Sequence, residues 1–248
     1  MIDKEDTRML QAKGFKNTYP NIIKIPEITI LIPVILLSIF AVIFTETFFT
    51  LKNIISIIRN ISSIGIVSIF MTMLLMSRGL DLSSDAVAAL IGVVFAFLLV
   101  KVGLPLGVVI ICVIAIAVIV GLLNSIFIIR LGIPSIIATL GMLYIGKGLS
   151  TVIAGGSYIV IDRQFAIYDF KIFGITIDVF IFIGIAVISD LVLRFTTFGR
   201  KVKLIGINAN AAKISGINTI QITSILYILT ALGAGFASLL FSMRSRIG

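Results

Sequence analysis

The sequence predicts an all-α polytopic membrane protein of about seven transmembrane helices with a cytoplasmic N-terminus. Three observations carry this reading. Of 248 residues, 12% are charged and 59% are hydrophobic, whereas a soluble domain has about 25% charged residues. The mean hydropathy is +1.23. The apolar residues gather in runs near the roughly 20 residues that cross about 30 Å of hydrocarbon. A chain so poor in charge cannot cover a water-facing surface, which excludes a soluble enzyme, a disulfide-built secreted domain and a disordered linker. His is absent and Cys112 is the one cysteine, so an internal disulfide, a Cys/His metal cluster and the usual general base near neutral pH are excluded as well. No cofactor and no metal are expected.

Residues 1–27 are polar, with Lys4, Arg8, Lys13, Lys16 and Lys24, and read as a cytoplasmic segment ahead of a transmembrane domain over 28–248. The first span covers 28–44. Phe48 and Phe49 follow it instead of small residues, so it reads as an uncleaved span, not a signal peptide. Further spans are read at 54–77, 82–100, 104–129, 135–154, 174–194 and 219–243. Each run is apolar all round, and the scattered Gly, Ser and Thr suit close packing in lipid. In the last span Ala231 with Gly235, and Gly233 with Ala237, make small-residue pairs four apart, which read as packing. Cys112 reads as a small core hydrophobe.

Charge placement sets the orientation, because Lys and Arg gather on cytoplasmic loops. With the N-terminus inside, the inner segments hold Lys4, Arg8, Lys13, Lys16, Lys24, Arg78, Arg130, Arg194, Arg200, Lys201, Lys203 and Lys213, which is twelve. The outer ones hold Lys52, Lys101, Arg163 and Lys171, which is four. Arg59 and Lys147 fall within spans. Arg244 and Arg246 follow the last span on the outer side, against the bias. The net charge of +9 is thus read as membrane topology, and no nucleic-acid partner is expected.

Two connections are long. Residues 155–173 are read outside, with Tyr158 and Tyr168 as interfacial anchors. Residues 195–218 are read inside and exceed what a minimal loop requires. They have room for a short helix with Asn208 as N-cap and Gly216 as its C-terminal stop, a natural lever for a cytoplasmic partner.

Four segments carry a family resemblance. Phe198, Gly199, Arg200, Ile205, Gly206, Asn208, Ala211, Ala212, Ser215, Gly216 and Ile217 follow the pattern FGR-x4-IGxNxxAAxxSGI. Arg78-Gly79-Leu80-Asp81-Leu82-Ser83 resembles GGIDLS, Gly121-Leu122-Leu123-Asn124 resembles GLLNG, and Ile133-Pro134 through Thr139-Leu140-Gly141-Met142 resembles IPxFIxTLGM, with Gly155-Gly156 beyond. In this order they resemble bacterial ABC importer permeases of the ribose/xylose-type, simple-sugar branch, over about residues 50 to 248. The resemblance implies a translocation pathway built by the 28–248 permease domain and an ATPase-docking loop at 195–218. It also implies partners: ABC ATPase subunits, a second permease subunit in a homo- or heterodimer, and an extracytoplasmic sugar-binding protein, all at a bacterial plasma membrane whose lipid surrounds the chain. ATP hydrolysis is expected on the ATPase, so this chain is a non-catalytic subunit. The chain departs from the family in having Ala209 and Asn210 where acids are frequent, Asp85 where Gly is usual, and Lys147 for an intramembrane Arg. It also reads as truncated against a ten-helix family pattern, lacking about three helices.

The resemblance assigns ATPase docking to Gly199, Arg200, Gly206, Asn208, Ala211, Ala212, Ser215, Gly216 and Ile217. Substrate-pathway candidates are Asp81, Ser83, Asp85, Asn124, Thr139 and Lys147, and plainer readings stand beside them. Asp81 fits a carboxylate capping the third span. Asp85 fits an interfacial acid or one facing a wet cavity, since a mid-bilayer acid costs roughly 2.5–3.5 kcal/mol. Lys147, between two glycines, must find Asp85 or neighbouring carbonyls. Asn124 suits a bond across helices, Asp190 with Arg194 a local ion pair, and Arg59 snorkelling. Alternative functions are a branched-chain amino acid or nucleoside ABC permease of the same superfamily, an ion-coupled secondary transporter using Asp85 and Lys147, or a truncated remnant.

Overall fold

The computed structural model of the protein describes residues 26–162, 165, 171–172 and 175–248. Lys4, Arg8, Lys13, Lys16, Lys24, Arg163 and Tyr168 lie outside the described residues. The chain divides into two compact units, one ending at Ile54 and one running from Ile55 to Gly248.

In the first unit, helix α1 (Pro26–Phe44) carries Pro33 within it. Thr50 starts the next helix: its Oγ1 accepts from Asn53 N–H at 3.3 Å, satisfying one of the free amides of a first turn. Asn53 Nδ2 donates to Phe48 O at 2.8 Å.

The second unit holds most of α2 (Leu51–Met76) and then α3 (Ser84–Ala96), α4 (Leu106–Ser125), α5 (Ser135–Ala154), α6 (Ile177–Phe195), α7 (Thr197–Ile207), α8 (Ala209–Ile214) and α9 (Thr219–Ser245). The two-residue strands β1 (Lys171–Ile172) and β2 (Ile175–Thr176) pair antiparallel before α6. Helices therefore stand at all seven sequence-predicted spans, and the architecture is all-α and polytopic. By length and composition, α2, α3 with its extension, α4 with its extension, α5 and α9 suffice to cross a membrane; α6 with α7 makes a sixth if that pair, bent by 73°, is one span. The apolar part of α1, Leu31–Phe44, is shorter.

The α3 and α4 extensions share one device. Each ends as a wider turn, Phe97–Lys101 and Ile126–Arg130. Each then runs through an identically spaced glycine and proline, Gly103-Leu-Pro105 and Gly132-Ile-Pro134. Gly103 and Gly132 take φ of 76° and 68°, a conformation that costs a Cβ-bearing residue but not glycine. The prolines precede the first residues of α4 and α5, where no N–H is needed. Lys101 and Arg130 sit in the last turns, complementing the helix dipoles.

Helix α9 is the central post. Of its apolar window 61% is buried, against 28% for α4 and α5, and it packs on α4 and α3, while α3 packs on α5. Ala231, Gly233, Gly235 and Ala237 are all buried, as their spacing predicts. Gly121 of α4 meets the α9 backbone: a Cβ there would lie 2.6 Å from Ile228 Cα and 3.0 Å from Tyr227 O. Gly121→Leu must push two backbones apart, and overpacking of this kind costs about 1–3 kcal/mol. The expected result is a lowered midpoint of thermal unfolding in detergent, whereas Gly148→Ala, which meets nothing, leaves it in place. Cys112 is half-buried rather than in the core.

Arg244, at odds with the charge bias in sequence, is neutralised by folding. Its Nη1 donates to Asp178 Oδ2 at 2.9 Å, its Nη2 to Asn60 Oδ1 at 3.1 Å, and its guanidinium lies 5.5 Å from the Phe241 ring centre. Asp178, in the first turn of α6, also accepts from Thr176 Oγ1. One charge cluster thus ties the ends of α9 and α6 to α2.

Candidate functional site

Two places combine polar chemistry with a surface to act on. The first is the 195–218 segment, which folds as two capped helices, α7 and α8, rather than the single short helix expected. Thr196 ends α6 and starts α7, its Oγ1 accepting from Gly199 N–H at 3.3 Å. Asn208 ends α7 and starts α8, its Oδ1 accepting from Asn210 and Ala211 N–H at 3.0 and 3.1 Å. Gly216, at φ 82°, stops α8: its N–H donates to Lys213 O at 3.1 Å, and Ile217 N–H donates to Ala212 O at 3.0 Å. This is the paired-bond helix ending in which glycine is favoured at the left-handed position.

The nine residues assigned to docking divide between two faces. Gly199, Ala212 and, in part, Gly206 and Ile217 face the chain itself, while Arg200, Asn208, Ala211, Ser215 and Gly216 are exposed. A Cβ on Gly199 would overlap the Leu193 backbone, and one on Gly206 would overlap the Met76 carbonyl oxygen. Those glycines let α7 fold back against α6 and the end of α2. Val202, Ile205 and Ala212 complete a core with Met73, Leu74, Leu226 and Tyr227. The outer face shows apolar side chains that the sequence reading missed: Leu204, Ile207 and Ile214, at 48%, 72% and 88% exposure. Arg200, Lys201, Lys203 and Lys213 are exposed beside them. The signal was present in the period of α7, where 199, 202 and 205 face inward and leave Leu204 and Ile207 without an internal partner.

The second place is the helix interior. Asp81 and Asn124 are fully buried and joined through Ser83. Ser83 N–H and Oγ donate to Asp81 Oδ1 at 2.8 and 2.6 Å, and Asn124 Nδ2 donates to Ser83 Oγ at 2.8 Å. Burial raises the Asp81 pKa, against the lowering by the two Ser83 bonds. Ser83, not Asp81, occupies the N-cap position of α3; Asp81 holds that cap residue in place. Asn124 thereby bonds across helices, as its glue reading had it. Thr139 is fully buried and donates to Ser135 O of its own helix at 2.7 Å.

Asp85 and Lys147 lie apart from that network. They pair at 2.9 Å between α3 and α5, with Lys147 51% and Asp85 75% exposed. Lys147 is twelve residues past Ser135, about 18 Å along the axis at about 1.5 Å per residue. Asp85 lines a cavity of about 700 Å³ between α2, α3, α5 and α9, within the roughly 300–1,000 Å³ of small-molecule sites. Ser63, Ser150, Thr151, Ser238 and Ser242 contribute hydroxyls to its wall; lone serines and threonines in apolar runs gave no sequence signal. Of the six pathway candidates, only Asp85 lines this cavity, with Lys147 as its ion-pair partner.

The family described as "Branched-chain amino acid transport system / permease component" matches residues 53–248. Among curated proteins, the chain is 29% identical over 208 residues to the L-arabinose ABC transporter permease protein AraH of Azospirillum brasilense, covering 81% of this chain and 60% of that protein. It is 28% identical over 192 residues to the galactofuranose transporter permease protein YtfT of Escherichia coli, covering 75% and 55%. It is 27% identical over 217 residues to the ribose import permease protein RbsC of Haemophilus influenzae, covering 85% and 67%. The chain thus spans little more than half to two thirds of the length of these relatives. No solved structure matches it.

Proposed function

Since the chain belongs to the branched-chain amino acid transport system / permease component family, we propose that it is the membrane-spanning subunit of an ATP-driven importer of a small sugar. The observation that carries this reading is the α7–α8 pair: two short capped helices seated on the ends of α2 and α9 by their inner face, with an apolar, basic-rimmed outer face free to bind. The bias of Lys and Arg supports a cytoplasmic position for that face, where an ABC ATPase is the fitting partner. ATP is hydrolysed there, and this subunit supplies the pathway. The seating of α7 on α2 lets a push on the outer face tilt helices, and any such tilt needs contacts that differ between two states. A second permease subunit, identical or related, and an external sugar-binding protein complete the assembly at a bacterial inner membrane.

The sugar branch is favoured over the amino acids of the family's description by the relatives, whose names refer to L-arabinose, galactofuranose and ribose. The cavity is compatible with it: hydroxyls from three helices and one carboxylate are polar points on a mainly apolar wall, as in small-molecule sites generally. The test is uptake of labelled L-arabinose, D-ribose and D-fructose by cells carrying the chain with its neighbouring genes. ATP depletion is expected to stop uptake of at least one of them, and excess leucine not to compete. Uptake that instead survives ATP depletion and collapses with an uncoupler would establish an ion-coupled carrier. Asp85→Asn is expected to reduce ATP-driven uptake while leaving thermal unfolding close to the parent's, because so exposed a pair contributes little to folding.

A further inference from the structure

We infer that Arg78 is a coupling residue, a positioning group that joins the α7–α8 pair to the entrance of α3; this rests on the ATPase-docking reading. The end of α2 has the same paired bonds as the end of α8: Arg78 N–H donates to Leu75 O at 2.9 Å and Gly79 N–H to Leu74 O at 3.0 Å. In this ending the left-handed residue is normally glycine, as Gly216 is after α8 and Gly155 after α5, at φ 82° and 66°. After α2 it is Arg78, at φ 64°. Glycine would serve that turn better, so the turn does not account for the arginine.

What accounts for it is the side chain's destination. Arg78 Nη2 donates to Ile207 O at 3.1 Å, the carbonyl of the last residue of α7. That helix end carries partial negative charge and has no basic residue in its own last turn. Beside it, Gly206 sits against the Met76 carbonyl. The connection that Arg78 begins then runs through Leu80, whose carbonyl accepts from Tyr227 Oη at 3.4 Å, and through Asp81 and Ser83, which Asn124 fixes, to the first turn of α3 and Asp85. The α2–α3 connection is held by α7 on one side and by α4 and α9 on the other. Displacement of α7 is handed to α3, and so to the cavity wall, through Arg78.

The experiment uses the chain purified with its ATPase from native membrane, carrying Cys112→Ser and Ala89→Cys; Ala89 is exposed on the cavity wall. Labelling by a soluble maleimide is timed with and without MgATP and vanadate, for Arg78 and for Arg78→Gly. With arginine, nucleotide changes the labelling rate. With glycine, that dependence is lost, although the ATPase co-purifies in equal amount and thermal stability is equal or higher, because the strained φ is relieved. Arg78→Lys, which keeps a cation at the α7 end, restores part of the response. Nucleotide-dependent labelling that persists in Arg78→Gly, or is absent from the arginine protein with its ATPase bound, overturns the inference. Lower stability of the glycine variant overturns the strain argument beneath it. An ATPase that never co-purifies with the arginine protein overturns the docking reading itself.

Discussion

Arg244→Met is expected to destabilise the protein by about 3–5 kcal/mol, the usual cost of stranding one charge of a buried pair. Asp178 is 1% exposed and Arg244 15% at their 2.9 Å contact. Among the described residues, the variant leaves the carboxylate with Thr176 Oγ1 alone to hydrogen-bond it, and Asn60 Oδ1 loses the Arg244 donor as well. The effect reaches three helices, because this cluster holds the end of α9 against the start of α6 and against α2. Thermal unfolding in mild detergent measures it. Adding Asp178→Asn removes the stranded charge, and the double variant is expected to recover part of the loss. Such recovery separates charge burial from lost packing over Phe241. A single variant as stable as the parent would mean that the cluster is not formed in solution.

Replacing Ile207 and Ile214 together by glutamate is expected to abolish retention of the ATPase while leaving the permease folded. Both side chains are largely exposed, at 72% and 88%, so the charge costs the isolated chain little. Buried apolar anchors at the centre of an interface are worth about 2 kcal/mol or more each, and two such losses lower affinity by roughly a thousandfold. Arg200→Ala and Lys203→Ala lie on the rim, where charge steers association more than it holds it; they are expected to slow assembly at low salt without abolishing it, a defect that fades as added salt screens the rim charge. Co-purification from native membrane reads all three effects. Retention of the ATPase by the double glutamate variant would move the docking face elsewhere on the chain.

The fold was legible in the sequence wherever one helix decides its own fate. Runs of apolar residues mark the spans because lipid demands internally satisfied backbone. The Gly-x-Pro breaks after Lys101 and Arg130 mark the edges of α4 and α5 to within a few residues. Asn208 and Gly216 declare α8 through local hydrogen bonds alone. What was not legible depends on partners distant in sequence. Helix α7 is not legible as a helix in sequence because its inward set, Gly199, Val202 and Ile205, makes sense only against Leu74 and the Leu193 backbone. The small residues of 195–218 were assigned to a partner's surface as one group. A sequence pattern cannot tell a glycine that faces its own chain, such as Gly206 against Met76, from one that faces another protein. Arg244 looked misplaced until Asp178, 66 residues away, supplied its counter-charge. Asp81 and Asp85 are four residues apart, yet one joins a buried hydrogen-bonded network and the other lines a cavity, a division set by α4 and α5 rather than by spacing.

The central claim is that this subunit couples sugar movement to ATP hydrolysis on a partner docked at α7–α8. Its most direct measurement is labelled-sugar uptake into proteoliposomes that hold the natively purified complex and its binding protein, with MgATP sealed inside. The account predicts uptake that requires hydrolysable ATP in the lumen, stops with vanadate, and disappears when Ile207 and Ile214 are replaced by glutamate. Uptake without ATP, or ATP-driven uptake indifferent to those two residues, would contradict it.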